Sequence, residues 1–326
     1  MALCANLKNQ ERSFTIIELL VVIAAIGLLI GIVLVATAGV RERAQLARTA
    51  SWAATNHRVL GANSELVLNF EECRGVTNNA TATPPFIDLS GNNNHSTCTG
   101  AECPRCLDGV PGVTGRALSF DGGSDNNDFV SVPNSGNLRN AFNTSINFTL
   151  NAWVFQRTEN WSAIINNDTG SCWNATTNSI WLGDWRGFIC VMGNGGTDSP
   201  CNPAGGSISI WNRQPLNTWH HVVCAADGTT LRMFVNGRQV GARLISDLTL
   251  PRISNNNPIV IGRKISHSGT FNGIIDDLRA YSEAMPLAYI QEQYLQGLQS
   301  LLANNAITEQ EYNQRMTEFN KNLVSK

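Results

Sequence analysis

From Leu19 to Val40 the chain carries no charged residue, and the run is long enough to cross a bilayer as one helix. A single acid, Glu18, stands at its start, behind Phe14-Thr15-Ile16-Ile17. A carboxylate inside a membrane helix costs on the order of 2.5–3.5 kcal/mol on insertion scales, so it calls for a partner or a function. Lys8, Glu11 and Arg12 make a weakly basic polar leader ahead of it. An ordinary secretory signal has a small-residue cleavage site after its apolar core. Here the helical pattern instead continues through Arg41, Glu42, Arg43, Ala44, Ala47, Arg48 and Ala54 to about Leu60. A continuous helix over that length would extend about 70 Å at about 1.5 Å per residue. Cleavage after Ser13 would free an amine on Phe14. That amine, on a neighbouring subunit staggered by one turn, would neutralise Glu18 and fix the register of a helix bundle. Gly27 and Gly31 form a GxxxG pair that permits close helix approach. Arg41, Arg43 and Arg48 lie beyond the apolar run, so charge alone leaves its orientation open.

The stretch Ser13-Phe14-Thr15-Ile16-Ile17-Glu18-Leu19-Leu20 resembles the prepilin peptidase motif of bacterial type IV pilins and pseudopilins. The resemblance covers about fifty residues. It implies cleavage between Ser13 and Phe14, N-methylation of Phe14, and an assembly role for Glu18. It also implies a precursor in the bacterial inner membrane, other pilin subunits and a prepilin peptidase as partners, and a final place in an extracellular pilus or on the cell surface. Two departures stand out. Ser13 takes the place of the usual glycine before the cut, and Val35 that of a proline common in major pilins. Local melting of the helix would then rely on Gly31 or Gly39.

Beyond this segment the pattern changes. From Glu65 to about Tyr281, short alternating runs are separated by Gly, Asn, Asp and Pro clusters, as in Leu66-Val67-Leu68-Asn69-Phe70, Phe148 to Val154 and Leu231 to Val235. The last of these runs into Asn236-Gly237, a strong hairpin-turn signal. Such spacing predicts one all-β sandwich. Charged residues are 15% of the chain and the net charge is −2, so nothing points to nucleic acid as a partner. Of the nine cysteines, Cys4 falls in the leader. Cys73, Cys98, Cys103, Cys106, Cys172, Cys190, Cys201 and Cys224 remain as candidates for disulfides made in an oxidising compartment. Pairing is not legible from spacing; adjacent apparent strands favour Cys172 with Cys190. The Cys103-Pro104-Arg105-Cys106 pattern lacks the second half of a zinc site, so disulfides in a long loop are the better account.

An ordered set of segments in this region resembles the laminin-G-like, concanavalin A-like jelly rolls. They are Asp88 to His95, Ala117 to Gly122, Phe129 to Pro133, Phe148 to Val154, Trp219 to Val223, Phe234 to Gly237 and Phe271 to Tyr281. The resemblance implies a glycan or protein ligand and, in some members, a calcium ion. Asp121 with Asp276 and Asp277 is the candidate calcium set, joined by backbone carbonyls, against the plainer reading that these acids cap turns or pair with Arg279. Sugars stack on aromatic faces. Trp181 and Trp185 are the candidate ligand platform, because Gly183, Asp184 and Gly187 signal a bend there. Trp153 and Trp219 read as core. His220 and His221, neighbours on a strand, face opposite ways and do not share one metal. No alternating carboxylate pair suited to glycoside cleavage is legible, and the chain is expected not to be an enzyme.

Pro286 to Leu302 reads as a helix with Leu287, Ile290, Tyr294, Leu298 and Leu301 on one face. Asn304-Asn305 break it. Thr308 opens a second helix with Glu311 completing a capping box, and Ile307 is placed to staple onto Tyr312. The apolar face would dock on the sandwich or on a neighbouring subunit. The expected fold class is therefore α+β. A leader (1–13) precedes a membrane and assembly helix (14–62), a jelly-roll β-sandwich (63–284) and a C-terminal helical hairpin (285–326). The expected function is that of a minor or tip pilin displaying its sandwich for adhesion. The rivals are a pseudopilin of a secretion or DNA-uptake machine and a surface-tethered glycan-acting enzyme.

Overall fold

The computed structural model describes residues 16–27, 63–72, 86–99, 102–106, 112–113, 115–123, 128–133, 138, 147–159, 162–166, 178–184, 187–194, 207–245, 258–263 and 269–324. The chain divides into two units, Met1–Thr55 and Asn56–Lys326. In the first, helix α1 spans residues 16–27, and Ile16, Ile17, Leu19 and Leu20 are exposed along it. No helix among the described residues is itself long and apolar enough to cross a membrane. Ser13 and Phe14 lie outside the described residues, as do Gly31 and Val35.

The second unit is an antiparallel β-sandwich of jelly-roll type with a helical hairpin on one face, and the chain as a whole is α+β. One sheet has eight strands. Its path runs β12 (Arg238–Leu244), β11 (Thr230–Val235), β10 (Trp219–Asp227), β5 (Asn147–Gln156), β14 (Asn272–Tyr281), β3 (Leu118–Asp121) and β2 (Arg105–Cys106), with β1 (Ser64–Leu68) also paired to β14. The facing sheet has six strands in the order β4 (Val130–Val132), β13 (Ile259–Ile261), β6 (Ser162–Asn166), β7 (Asn178–Asp184), β8 (Phe188–Asn194) and β9 (Ser207–Asn212).

Strand periodicity explains the core. On β5, Phe148, Leu150, Ala152 and Val154 face the six-stranded sheet and are fully buried or nearly so. On β10, Val222, Cys224 and Ala226 do the same, and meet Leu182 and Phe188 from the opposite sheet. Each large side chain buried this way contributes about 1.5–3 kcal/mol. The Asn236-Gly237 turn joins β11 to β12 with φ of 53° and 72°, the conformation that such a two-residue hairpin requires.

The outward face of the eight-stranded sheet is buried too. Helix α2 (Leu287–Ala303) and helix α3 (Glu309–Val324) lie across it. Tyr294, Leu298 and Leu301 of α2 with Phe319 of α3 pack on Trp153, Trp219 and Ile274, while Tyr289 and Ile290 pack on Val223, Ala225 and Phe234. Thus Trp153 and Trp219 are buried as the sequence indicates, but between sheet and helices rather than between sheets. Gly297 lets the helix come this close, since a Cβ there would stand 2.3 Å from Cζ2 of Trp153. The hairpin turn follows its sequence signals. Asn305 takes a φ of 58°, Ala306 N–H donates to Leu301 O at 2.8 Å, and Thr308 Oγ1 accepts the Glu311 N–H at 3.2 Å. The apolar face of the hairpin docks on the sandwich of its own chain.

Two disulfides are seen complete. Cys98–Cys103 closes a short loop, and Cys190–Cys224 joins β8 to β10, hence one sheet to the other, with Cα atoms 5.7 Å apart. The expected Cys172–Cys190 pair is therefore wrong. Cys190 faces inward and bonds Cys224 of the opposing sheet. Cys106 is also disulfide-bonded. Cys73, Cys172 and Cys201 lie outside the described residues.

Candidate functional site

The acids expected to hold calcium do not converge. Asp121 pairs in register with Asn272 on β14, and Asp276 lies further along that strand, roughly 13 Å away at about 3.3 Å per residue. Calcium ligands must meet within about 2.5 Å of one point. Asp276 is fully buried and its carboxylate accepts the Val113 N–H at 2.6 Å and the Asp277 N–H at 2.7 Å. Asp277 sits in a bulge of β14 with a φ of 44° and pairs with Arg279 at 2.8 Å. Both acids fasten structure: Asp276 holds the loop at Gly112–Val113 and Asp277 neutralises a cation beneath α2. No group of three or more His, Cys, Asp or Glu suited to a metal occurs among the described residues. These positions do not fit the ion.

The structure instead brings Asp121 to Asp128, a residue that alternation did not single out. Asp128 Oδ2 accepts the Asp121 N–H at 3.0 Å, and Asp121 Oδ1 accepts the Gly123 N–H at 3.0 Å. Burial, with the neighbouring Asp121 carboxylate adding to it, pushes the Asp128 carboxyl up to about 7.

Of the expected aromatic platform, Trp181 is placed on β7 opposite Val191 of β8, and Trp185 lies outside the described residues. Trp211 is 54% exposed, a large apolar surface for an edge strand.

A concavity lies between the end of the eight-stranded sheet and the helical hairpin, with a volume of about 960 Å³. One wall is the β11–β12 turn with the segment from Asn212 to Thr218; the other is the facing sides of α2 and α3. Its back is a chain of hydrogen bonds. His220 Nε2 donates to Pro215 O at 2.9 Å, and its Nδ1 accepts from the Asn236 amide at 3.2 Å. The Asn236 amide oxygen accepts the His221 N–H at 3.0 Å. Arg315, almost fully buried, donates to Trp219 O at 2.7 Å and pairs with Glu311 at 2.5 Å. The two histidines do face opposite ways. His220 packs on Phe188 inside the sandwich, whereas His221 lies against Trp153 and Tyr294 under the helices.

Burial disfavours the charged imidazole, so His220 falls to about 4 and His221 to about 3, in both cases first from desolvation. Both folded values lie below the ordinary 6.5, so the unfolded chain takes up protons that the folded one refuses. Each histidine therefore withdraws stability as pH falls from about 6.5. Asp128 is opposite in sign: its folded value is raised, so it returns stability as pH falls from about 7. One proton is worth about 1.4 kcal/mol per pH unit. Chemical denaturation between about pH 6 and 4 should therefore show a shallower acid loss in His221→Gln than in wild type, by about that slope, and a steeper one in Asp128→Asn. Parallel profiles in all three proteins would refute the assignment.

With this geometry in hand, residues 122–291 match the concanavalin A-like lectin/glucanases superfamily, and residues 8–34 match the prokaryotic N-terminal methylation motif. No curated protein matches the chain. Among solved structures it is similar to the binding domain of Paraclostridial mosquitocidal protein 1, at 18% identity and a TM-score of 0.52, covering 73% of this chain and 53% of that one. It is also similar to the binding domain of botulinum neurotoxin DC in complex with rat synaptotagmin II, at 14% identity and a TM-score of 0.51, covering 72% and 52%. A third is a structure of botulinum neurotoxin type C, a toxin dependent on interaction with two ganglioside molecules to enter cells, at 14% identity and a TM-score of 0.51, covering 73% and 52%. The chain spans about half the length of each, and the likeness is one of fold. The chain belongs to the concanavalin A-like lectin/glucanases superfamily and joins that domain to a prokaryotic N-terminal methylation motif.

Proposed function

We propose that this protein is a type IV pilin-like filament subunit, minor or tip in position, that displays its jelly-roll domain for adhesion to an extracellular glycan or protein. One observation carries the reading: a single chain holds both the methylation motif at residues 8–34 and a lectin-type domain at residues 122–291. In this reading a prepilin peptidase cuts between Ser13 and Phe14, and the helix bearing Glu18 enters the filament core. The sandwich, stapled between its sheets by Cys190–Cys224, faces the oxidising exterior. A domain of this bulk suits sparse placement better than a densely packed shaft.

Binding rather than cleavage is the proposed activity. Of the glutamates at the cleft, Glu311 is held by Arg315 and Glu318 is exposed on α3, accepting from Gln314 at 3.1 Å. A glycosidase acting at this cleft would need a carboxyl there whose burial keeps it protonated as general acid. Mass spectrometry of sheared, purified surface filaments tests the proposal. The expected result is this chain among the subunits, with an N-methylated Phe14 at its terminus. A chain still beginning at Met1, anchored singly and absent from filaments, would overturn it.

A further inference from the structure

We propose that the cleft between the Asn236-Gly237 turn and the α2–α3 hairpin binds an uncharged oligosaccharide. The inference rests on the adhesive reading above and gives that reading a location and a ligand class. A volume of about 960 Å³ falls at the upper end of ligand sites, which run to about 1,000 Å³.

The chemistry of the lining selects the ligand. Side-chain carboxamides dominate, from Asn212, Gln214, Gln239, Gln291 and Gln314. Each carries an acceptor oxygen and two donor hydrogens; Gln214 donates one to Asn212 and Gln314 one to Glu318, and the remaining capacity matches hydroxyl groups that both donate and accept. The charges cancel in sign: Arg238 and Arg315 stand against Glu311 and Glu318, and His220 is neutral. No net field therefore favours an anion or a cation. Pro215, Val240 and Leu287, none of them fully buried, supply the apolar surface on which C–H faces of a sugar rest, above the buried Tyr294 and Phe319.

The walls are also fixed before a ligand arrives. Asn236 is locked to both His220 and the His221 backbone, and Arg315 ties α3 to Trp219 O. Such preorganisation lowers the ordering cost of binding. The cleft is assembled from the sandwich and the hairpin together, so the hairpin is part of the recognition surface as well as a cover for Trp153.

The test is an array carrying cello-, manno- and galacto-oligosaccharides beside sialyllactose, probed with the full chain in detergent. Binding to uncharged oligosaccharides is expected, with at least a tenfold loss in Gln291→Ala/Gln314→Ala. Gln239→Ala, on the exposed strand β12, gives an independent loss if the helix variant proves unstable by circular dichroism. Unchanged binding in these folded variants, with loss in Trp211→Ala, would overturn the location while leaving adhesion standing. Preference for sialyllactose would overturn the ligand class. Should the array bind nothing, the inference fails, and the purified filaments then decide the broader reading. Filament adhesion to a protein-coated surface would preserve the adhesive role, and no adhesion to any surface would remove it.

Discussion

Glu18→Ala is expected to lower the amount of this chain in assembled filaments by tenfold or more, while membrane insertion is unchanged. Two costs with opposite consequences set that result. In a single membrane-inserted chain the carboxylate is a burden on the order of 2.5–3.5 kcal/mol, so its removal does not impair insertion. In the proposed filament it meets the free amine of a trimmed neighbour in a medium of low dielectric, where opposite charges attract far more strongly than in water. Only about 1.4 kcal/mol is needed for a tenfold change, less than the roughly 3–5 kcal/mol that removing one partner of a buried ion pair costs. Glu18→Gln should behave like the alanine variant, because the amide keeps the shape and the hydrogen-bonding capacity but not the charge. The measurement is the ratio of this chain in the sheared filament fraction to that in the membrane fraction. Equal ratios for wild type and both variants would remove Glu18 from assembly, leaving the helix as an anchor only.

Much of the fold was legible where a local rule decides it. Alternation on β5 and β10, the positive-φ turn at Asn236-Gly237 and the capping box at Thr308 each depend on residues within a few positions of one another. The opposite facing of His220 and His221 follows from strand geometry alone. Alternation also showed that Trp153 would be buried. It could not show what covers it, because both faces of β5 are buried and two different layers supply the cover.

What failed depends on register between distant strands. Asp121 does lie on a strand paired with β14, as the family resemblance implies, but opposite Asn272 rather than Asp276. A few residues of register separate a metal site from two unrelated structural acids. The Asp121–Asp128 pair is not legible in the sequence because neither strand alternation nor a turn motif marks Asp128 as a partner of Asp121. The cleft is the extreme case. Its lining comes from the segment at Asn212, the turn at Asn236 and two helices that follow the sandwich, and no window of sequence holds more than a fragment of it. The carboxamides at Gln239, Gln291 and Gln314 read as ordinary surface until the fold sets them around one space.

The disulfide correction yields the second large effect. Replacing both Cys190 and Cys224 by alanine is expected to reduce the unfolding free energy by about 4 kcal/mol, against about 2 kcal/mol for the same treatment of Cys98 and Cys103. The difference follows from the span each bond closes in the unfolded chain, a sequence separation of 34 against 5. Restricting the longer loop removes more conformations from the unfolded state. Native-state packing adds to the contrast, since Cys190 and Cys224 are fully buried in the central core and their loss leaves unfilled volume between the sheets. Urea titration of the wild type and the two double variants measures this, with the midpoint reporting stability and the slope reporting whether the surface exposed on unfolding has changed. A midpoint for the Cys190/Cys224 variant equal to that of the wild type would mean that the sheets are held together by apolar contact alone. A loss of about 4 kcal/mol, out of a typical total of about 5–15 kcal/mol, would instead make oxidation a requirement for a stable sandwich. The domain would then reach its working stability only after export, which fits a binding surface built for display outside the cell.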